Sequence, residues 1–119
     1  MKKPSRTTLN RKANKLWSEI IRKKNNGLCE VCGLPANNPH HIIGRRNLTL
    51  RHDLINGCLL CSGCHTLRVD SAHQNSLAFS LWVQANRFED WKYLISMMRK
   101  LTTQVDYEEI INKLNEQSS

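Results

Sequence analysis

The chain has 119 residues, a formal net charge of +8 and five cysteines, a length that suits one domain over residues 1–119 and excludes two good hydrophobic cores. No apolar run approaches the roughly 18 residues a membrane helix needs, and the basic start MKKPSRTTLNRK lacks the apolar segment of a secretory leader. An odd cysteine count argues against a disulfide framework, so a cytoplasmic protein with no membrane partner is expected.

Residues 1–24 hold nine Lys and Arg against Glu19 alone, whereas residues 25–119 hold nine cations and nine acids. A basic arm on a balanced remainder points to a polyanionic partner. Within the arm, Leu9, Ala13, Leu16, Trp17, Ile20 and Ile21 follow the 3.6-residue period and predict an amphipathic helix over about residues 8–26, stopped by Gly27. Arg11, Lys12, Lys15, Arg22 and Lys23 fall on the opposite face, where they can meet phosphates.

The stretch CEVCGLP reads as a tight metal-knuckle turn, with Gly33 and Pro35 as turn formers. HHII, from residue 40, and GCLLC, from residue 57, predict two short strands around a polar loop over residues 44–57 that carries Arg45, Arg46 and Arg51. SGCHTLRV looks like the start of a helix. Three helical segments follow, with one face each: Leu77, Leu81 and Trp82; then Trp91, Leu94, Ile95, Met98 and Leu101; then Tyr107, Ile110, Ile111 and Leu114, opened by the capping box DYEE from Asp106 to Glu109. These apolar residues are read as core. The fold class is α+β.

Cys29/Cys32 and Cys61/Cys64 form two Cys-x2-Cys pairs, which can supply four thiolates to one tetrahedral ion, a closed structural zinc site. Between the pairs lie 28 residues, more than the usual 15 to 20, and the insertion holds the histidine strand and its loop. Cys58 is read as a small buried hydrophobe. With zinc satisfied by sulfur, the histidines are free. His40 and His41 are neighbours on a strand and point to opposite faces, so both should not bind one ion. That geometry suits in-line attack on a phosphodiester, with a base on one side of phosphorus and a metal holding the leaving oxygen on the other.

CEVC, HHII, NGCLLC and CSGCH occur in the order and spacing of the HNH endonucleases: a Cys-x2-Cys, His-His-Ile, then an Asn five residues before a second Cys-x2-Cys-His. Residues 27–70 resemble that family, and the lead-in LWSEIIRKKNNGLCEVCG resembles its small phage and mobile-element members. The resemblance implies a ββα-metal core over residues 27–70, stapled by zinc and flanked by the basic helical arm (1–26) and C-terminal helices (71–119). It implies His41 as general base, Asn56 as the residue holding the base in position, and His40 and His65 as ligands of a catalytic Mg²⁺, Mn²⁺ or Ni²⁺. The implied activity is hydrolysis of DNA to 5′-phosphate and 3′-hydroxyl ends, with Arg45, Arg46 and Arg51 clamping backbone phosphates.

Relatives with a three-histidine site place the last ligand about four residues after the penultimate one, where this chain has Val69. His73 lies eight residues after His65 and joins the site only if the helix ends near Asp70 and the chain turns back. Otherwise water or DNA oxygens complete the shell. His52 has no assigned role. The alternative to an enzyme is a non-catalytic zinc module that binds nucleic acid, which has no use for His41 or Asn56. A zinc-built protein adaptor would leave the placement of the charge unexplained.

Overall fold

The computed structural model describes residues 3–118; Lys2, one of the nine cations of the arm, lies outside them, as do Met1 and Ser119. The first helix, α1 (Arg6–Lys23), opens where the Ser5 hydroxyl accepts the Thr8 N–H at 3.1 Å. Ala13, Trp17 and Ile21 recur every four residues and are buried, with Leu16 and Ile20 beside them. α1 ends three residues earlier than the sequence suggests. Asn25, Asn26 and Gly27 all take left-handed backbone angles (φ 53°, 57° and 75°), a run no α-helix can continue through and one that Asn and Gly tolerate best.

The knuckle follows. Cys29 N–H donates to the Leu34 carbonyl at 2.7 Å and Gly33 N–H to the Cys29 carbonyl at 3.0 Å, around a left-handed Gly33. Glu30 ties the knuckle to the sheet, since its N–H donates to the Leu59 carbonyl while its carboxylate accepts the Leu59 N–H at 2.7 Å.

The sheet has two antiparallel strands, β1 (Asn38–His41) and β2 (Gly57–Leu60), with His40 opposite Cys58 and His41 opposite Gly57. The histidines thus end their strand instead of starting it, and Ile42 and Ile43 already belong to the loop. Successive residues of β2 point to opposite faces. Cys58 and Leu60 join Cys29, Cys64, Phe79 and Val83 on one side, while Leu59 joins Trp17, Ile21 and Leu114 on the other. Gly57 leaves room for α1: a Cβ there would sit 2.7 Å from Ile21 Cγ1 and collide with Ile21 Cδ1.

Three helices complete the fold: α2 (Ser76–Asn86), α3 (Phe88–Met97) and α4 (Tyr107–Ser118). The expected face of α2 holds at Trp82, which packs against the core, and fails at its two leucines. Leu77 and Leu81 are 71% and 57% exposed, and Phe79 and Val83 are buried instead. Apolar residues lie all round this helix, and docking on His40 and the cysteine cluster selects the side. On α3 only Leu94 of the expected face is buried; Ile95 and Met98 are exposed, and Leu101 lies beyond the helix end, 85% exposed. α4 buries Ile111 and Leu114 against α1. Asp106 accepts the Glu109 N–H at 3.0 Å, but the Glu109 carboxylate pairs with Lys113 at 2.9 Å. Among the described residues no helix is long and apolar enough to cross a membrane.

Candidate functional site

Cys29, Cys32, Cys61 and Cys64 bring their sulfurs within 4.8 Å of one another. A tetrahedral zinc with Zn–S of about 2.3 Å sets sulfurs about 3.8 Å apart, and Cys32 Sγ lies 3.5 Å from Cys61 Sγ. The four could therefore hold a structural metal such as zinc. Burial acts most strongly on the Cys29 thiol and pushes it up, but N–H groups of Cys32, Cys61 and Val31 outweigh it and leave the thiol at about 7. Cys64 is pushed up, first by burial and then by the neighbouring sulfurs. Four crowded thiols cannot all ionise without a cation among them, which is the chemistry of a thiolate–metal site. Cys58 is fully buried and apart from the four.

His40, His65 and His73 form a second group, with one ring nitrogen each within 4.8 Å of the others. His73 gets there because the expected helix after Cys61 is a single wide turn, Gly63–Leu67, closed by the Arg68 N–H on the Gly63 carbonyl. The chain then reverses. Ala72 N–H donates to the Cys64 carbonyl at 2.8 Å and His73 N–H to the His65 carbonyl at 3.1 Å, which brings the two Nε2 atoms to 3.0 Å. His40 is 9% exposed, edge-on to Phe79. Burial, then the neighbouring His65, His73 and His41, push its pKa down to about 3. His65 is lowered as well, by burial and by His73. An imidazole nitrogen without its hydrogen presents a lone pair, and three rings whose nitrogens cluster this closely could hold a divalent cation.

His41 faces the other way. Its ring stacks on Trp17 with centroids 4.0 Å apart and planes 8° from parallel. The Trp17 Nε1–H is anchored on the Asp53 carbonyl at 3.0 Å. His41 Nε2 lies 3.0 Å from the Arg51 carbonyl; a carbonyl only accepts, so Nε2 carries the hydrogen and Nδ1 holds the lone pair. Burial lowers this histidine below its usual range.

Asn56 is completely buried. Its Oδ1 accepts the Ile43 N–H at 2.7 Å, and its Nδ2 donates to the Ile43 and Leu50 carbonyls at 2.9 and 3.1 Å. It thereby closes the loop that carries the Arg51 carbonyl. The peptides on either side of Asn56 are held by Arg87, which donates to the Ile55 and Gly57 carbonyls and pairs with Glu30 and Asp90. Trp17 and Arg87 escape sequence reading as site residues. Trp17 has a core position in the period of α1, and nothing near Arg87 in sequence announces a distant partner.

Two clefts meet at His41. A cavity of about 540 Å³ is lined by His40, His41, His65 and His73 with Phe79 and Ile95 across from them. A cleft of about 340 Å³ lies on the α1 side, between Asn10, Asn14 and Ser18 and the loop residues Arg45 and Arg51. Arg45 and Arg46 are exposed. Arg51 is half-buried and donates through Nε to the Arg45 carbonyl at 2.7 Å. Arg11, Lys15 and Arg22, all exposed, share the helical ridge of Ser18, being spaced three or four residues apart. Lys12 and Lys23 are exposed about 100° further round α1. His52 is away from the triad, buried, with Nε2 2.7 Å from Asn14 Oδ1. Against known proteins, the chain matches no family model, no curated sequence and no solved structure.

Proposed function

We propose that the chain is a divalent-metal-dependent DNA endonuclease of the HNH type, encoded by a phage or mobile element. The observation that carries this reading is the split across β1: three clustered imidazoles on one face, and on the other a histidine whose free Nδ1 is fixed by the bond from Nε2 to a carbonyl. Both line one cavity. His40, His65 and His73 would hold the ion, which would supply charge neutralisation for phosphodiester hydrolysis. His41 Nδ1 would take a proton from water as that water attacks phosphorus in line and the P–O3′ bond breaks; the departing oxygen would take a proton from solvent, giving a 5′ phosphate and a 3′ hydroxyl. The stack on Trp17 keeps the imidazole oriented and favours the imidazolium as it forms. Asn56 acts through the loop, by holding the Arg51 carbonyl on which His41 rests. Arg45, Arg46 and Arg51, with the ridge from Arg11 to Arg22, would bind the backbone of the DNA.

With His73 included, the donor set is three imidazole nitrogens. Such a set suits Mn²⁺ or Ni²⁺ better than Mg²⁺, which prefers oxygen and holds its waters. The test is incubation of supercoiled plasmid with zinc-loaded protein in EDTA, Mg²⁺, Mn²⁺ or Ni²⁺. Nicked or linear product is expected with Mn²⁺ and Ni²⁺ and none with EDTA. Tight DNA binding without cleavage under every ion would replace the nuclease with a non-catalytic zinc-containing nucleic-acid-binding module.

A further inference from the structure

The cleft on the α1 side of His41 is rich in hydrogen-bond donors, beside the rings of Trp17 and His41. Arg45 and Arg51 line it and, among the described residues, no carboxylate does. The two asparagines add their amide N–H groups, because their oxygens are already engaged. Asn14 Oδ1 lies 2.7 Å from His52 Nε2. Burial is the main cause that pushes His52 down to about 4, so the ring is neutral with one N–H, and the bond to Oδ1 puts that hydrogen on Nε2. His52 Nδ1 is buried and has no hydrogen-bond partner among the described residues, which suits the bare nitrogen of that tautomer. Asn14 is thereby held with Nδ2 free to point into the cleft. Asn10 Oδ1 likewise faces Arg51 Nη1 at 3.5 Å, leaving its own Nδ2 as a donor. A Ser18 hydroxyl completes the wall.

Two guanidinium groups, two oriented amides and a hydroxyl around one space are the ligand set of an oxyanion. We infer that this cleft binds a second backbone phosphate of the DNA strand being cut, next to the phosphate attacked beside His41. The inference rests on the nuclease reading for its choice of strand. Continuity favours the strand as the source of the anion: His41 is a wall of both the cleft and the three-histidine cavity, and Arg11, Lys15 and Arg22 extend the cationic surface along α1 past Ser18. His52 then acts as a positioning residue, setting which end of the Asn14 amide meets the ligand.

Asn14→Asp is the diagnostic variant. It keeps the oxygen that His52 needs and exchanges the donor for a charged acceptor at an exposed position. Binding is measured with zinc-loaded protein and no other divalent ion, on duplexes carrying a single neutral methylphosphonate linkage at successive positions. Wild type should lose several-fold affinity for one linkage beside the cleavage position. Asn14→Asp should bind the all-phosphate duplex about tenfold more weakly, the scale of a lost charge-assisted bond with repulsion added, and should no longer respond to that linkage. Asn10→Asp should repeat the pattern, and zinc content and melting temperature establish that each variant is folded. Folded variants with wild-type affinity, or with the wild-type response to every linkage, would overturn the subsite, as would a protein that binds no DNA. The two readings separate cleanly: binding without cleavage removes the nuclease and keeps the phosphate site, while cleavage with indifferent variants does the reverse.

Discussion

The four sulfurs and the three imidazoles are gathered to the same tolerance, 4.8 Å, yet they are opposite kinds of site. The sulfurs come from two knuckles, two of them are buried, and four soft donors leave no position for anything else. The imidazoles come from a strand end, a turn and a returning segment, and they border a cavity of about 540 Å³. Four donors make a closed site that stabilises a fold, and three donors with an open side make one that can do chemistry. On the proposed reading, the first site would be vulnerable through folding and the second through turnover.

The largest effect should come from the closed site. Cys29→Ser or Cys64→Ser should unfold the protein, since thiolate–zinc bonding in small domains is worth about 10–16 kcal/mol of apparent folding free energy. Circular dichroism and elemental analysis check this, with close to one tightly held zinc per wild-type chain expected. A cooperatively folded, metal-free chain would erase the contrast between the sites. Next comes His41→Ala, which should lower cleavage by about 10²–10⁴-fold while zinc content stays at the wild-type level and melting falls only by what the lost stack on Trp17 and bond to the Arg51 carbonyl cost. Equal cutting by this variant would move the base elsewhere.

The open site is sharpened by His40→Ala, His65→Ala and His73→Ala. Each should lose activity through weakened ion binding, so rates should recover partly as Mn²⁺ is raised, whereas His41→Ala should not respond. His73→Ala is the cleanest of the three, because His73 is exposed and its loss opens no core cavity. A His73→Ala variant with unchanged metal dependence would return the site to two histidines. The smallest effect concerns the surface. Replacing Arg11, Lys12, Lys15, Arg22 and Lys23 by Gln should weaken binding on all sequences and flatten the log Kd against log salt slope, by up to about 0.9 for each phosphate no longer neutralised. An unchanged slope would confine DNA binding to the arginine loop.

What could be read in advance was what depends on short spacing. The Cys-x2-Cys turns, the opposed directions of His40 and His41, and the buried faces of α1 and α4 all follow from local periods, and they appear in the fold. What could not be read depends on chain reversal or on competition between faces. His73 meets His65 through two backbone bonds after an early helix stop, and nothing in eight residues of spacing marks that stop. Leu77, Phe79, Leu81, Trp82 and Val83 give α2 apolar residues on every side, so its buried face is decided by what it docks on. Trp17 satisfies the period of a core residue and stacks on His41 as well; periodicity reports the first role and is silent on the second.

Cys64 and His65 are consecutive, and the carbonyl of each receives an N–H from the returning segment at Ala72 and His73. A single dipeptide therefore belongs to both clusters. If both hold a cation as proposed, ordering it for one would prepay the ordering for the other, so occupancy of the two sites should be positively cooperative and, by linkage, reciprocally so. Stripping the tighter ion should lower affinity for the weaker one, and the weaker ion should slow loss of the tighter. A chelator that silences this protein would then act through a coupling free energy between neighbouring residues, and activity after metal return should lag at the pace of refolding, behind the binding of the ion that was added.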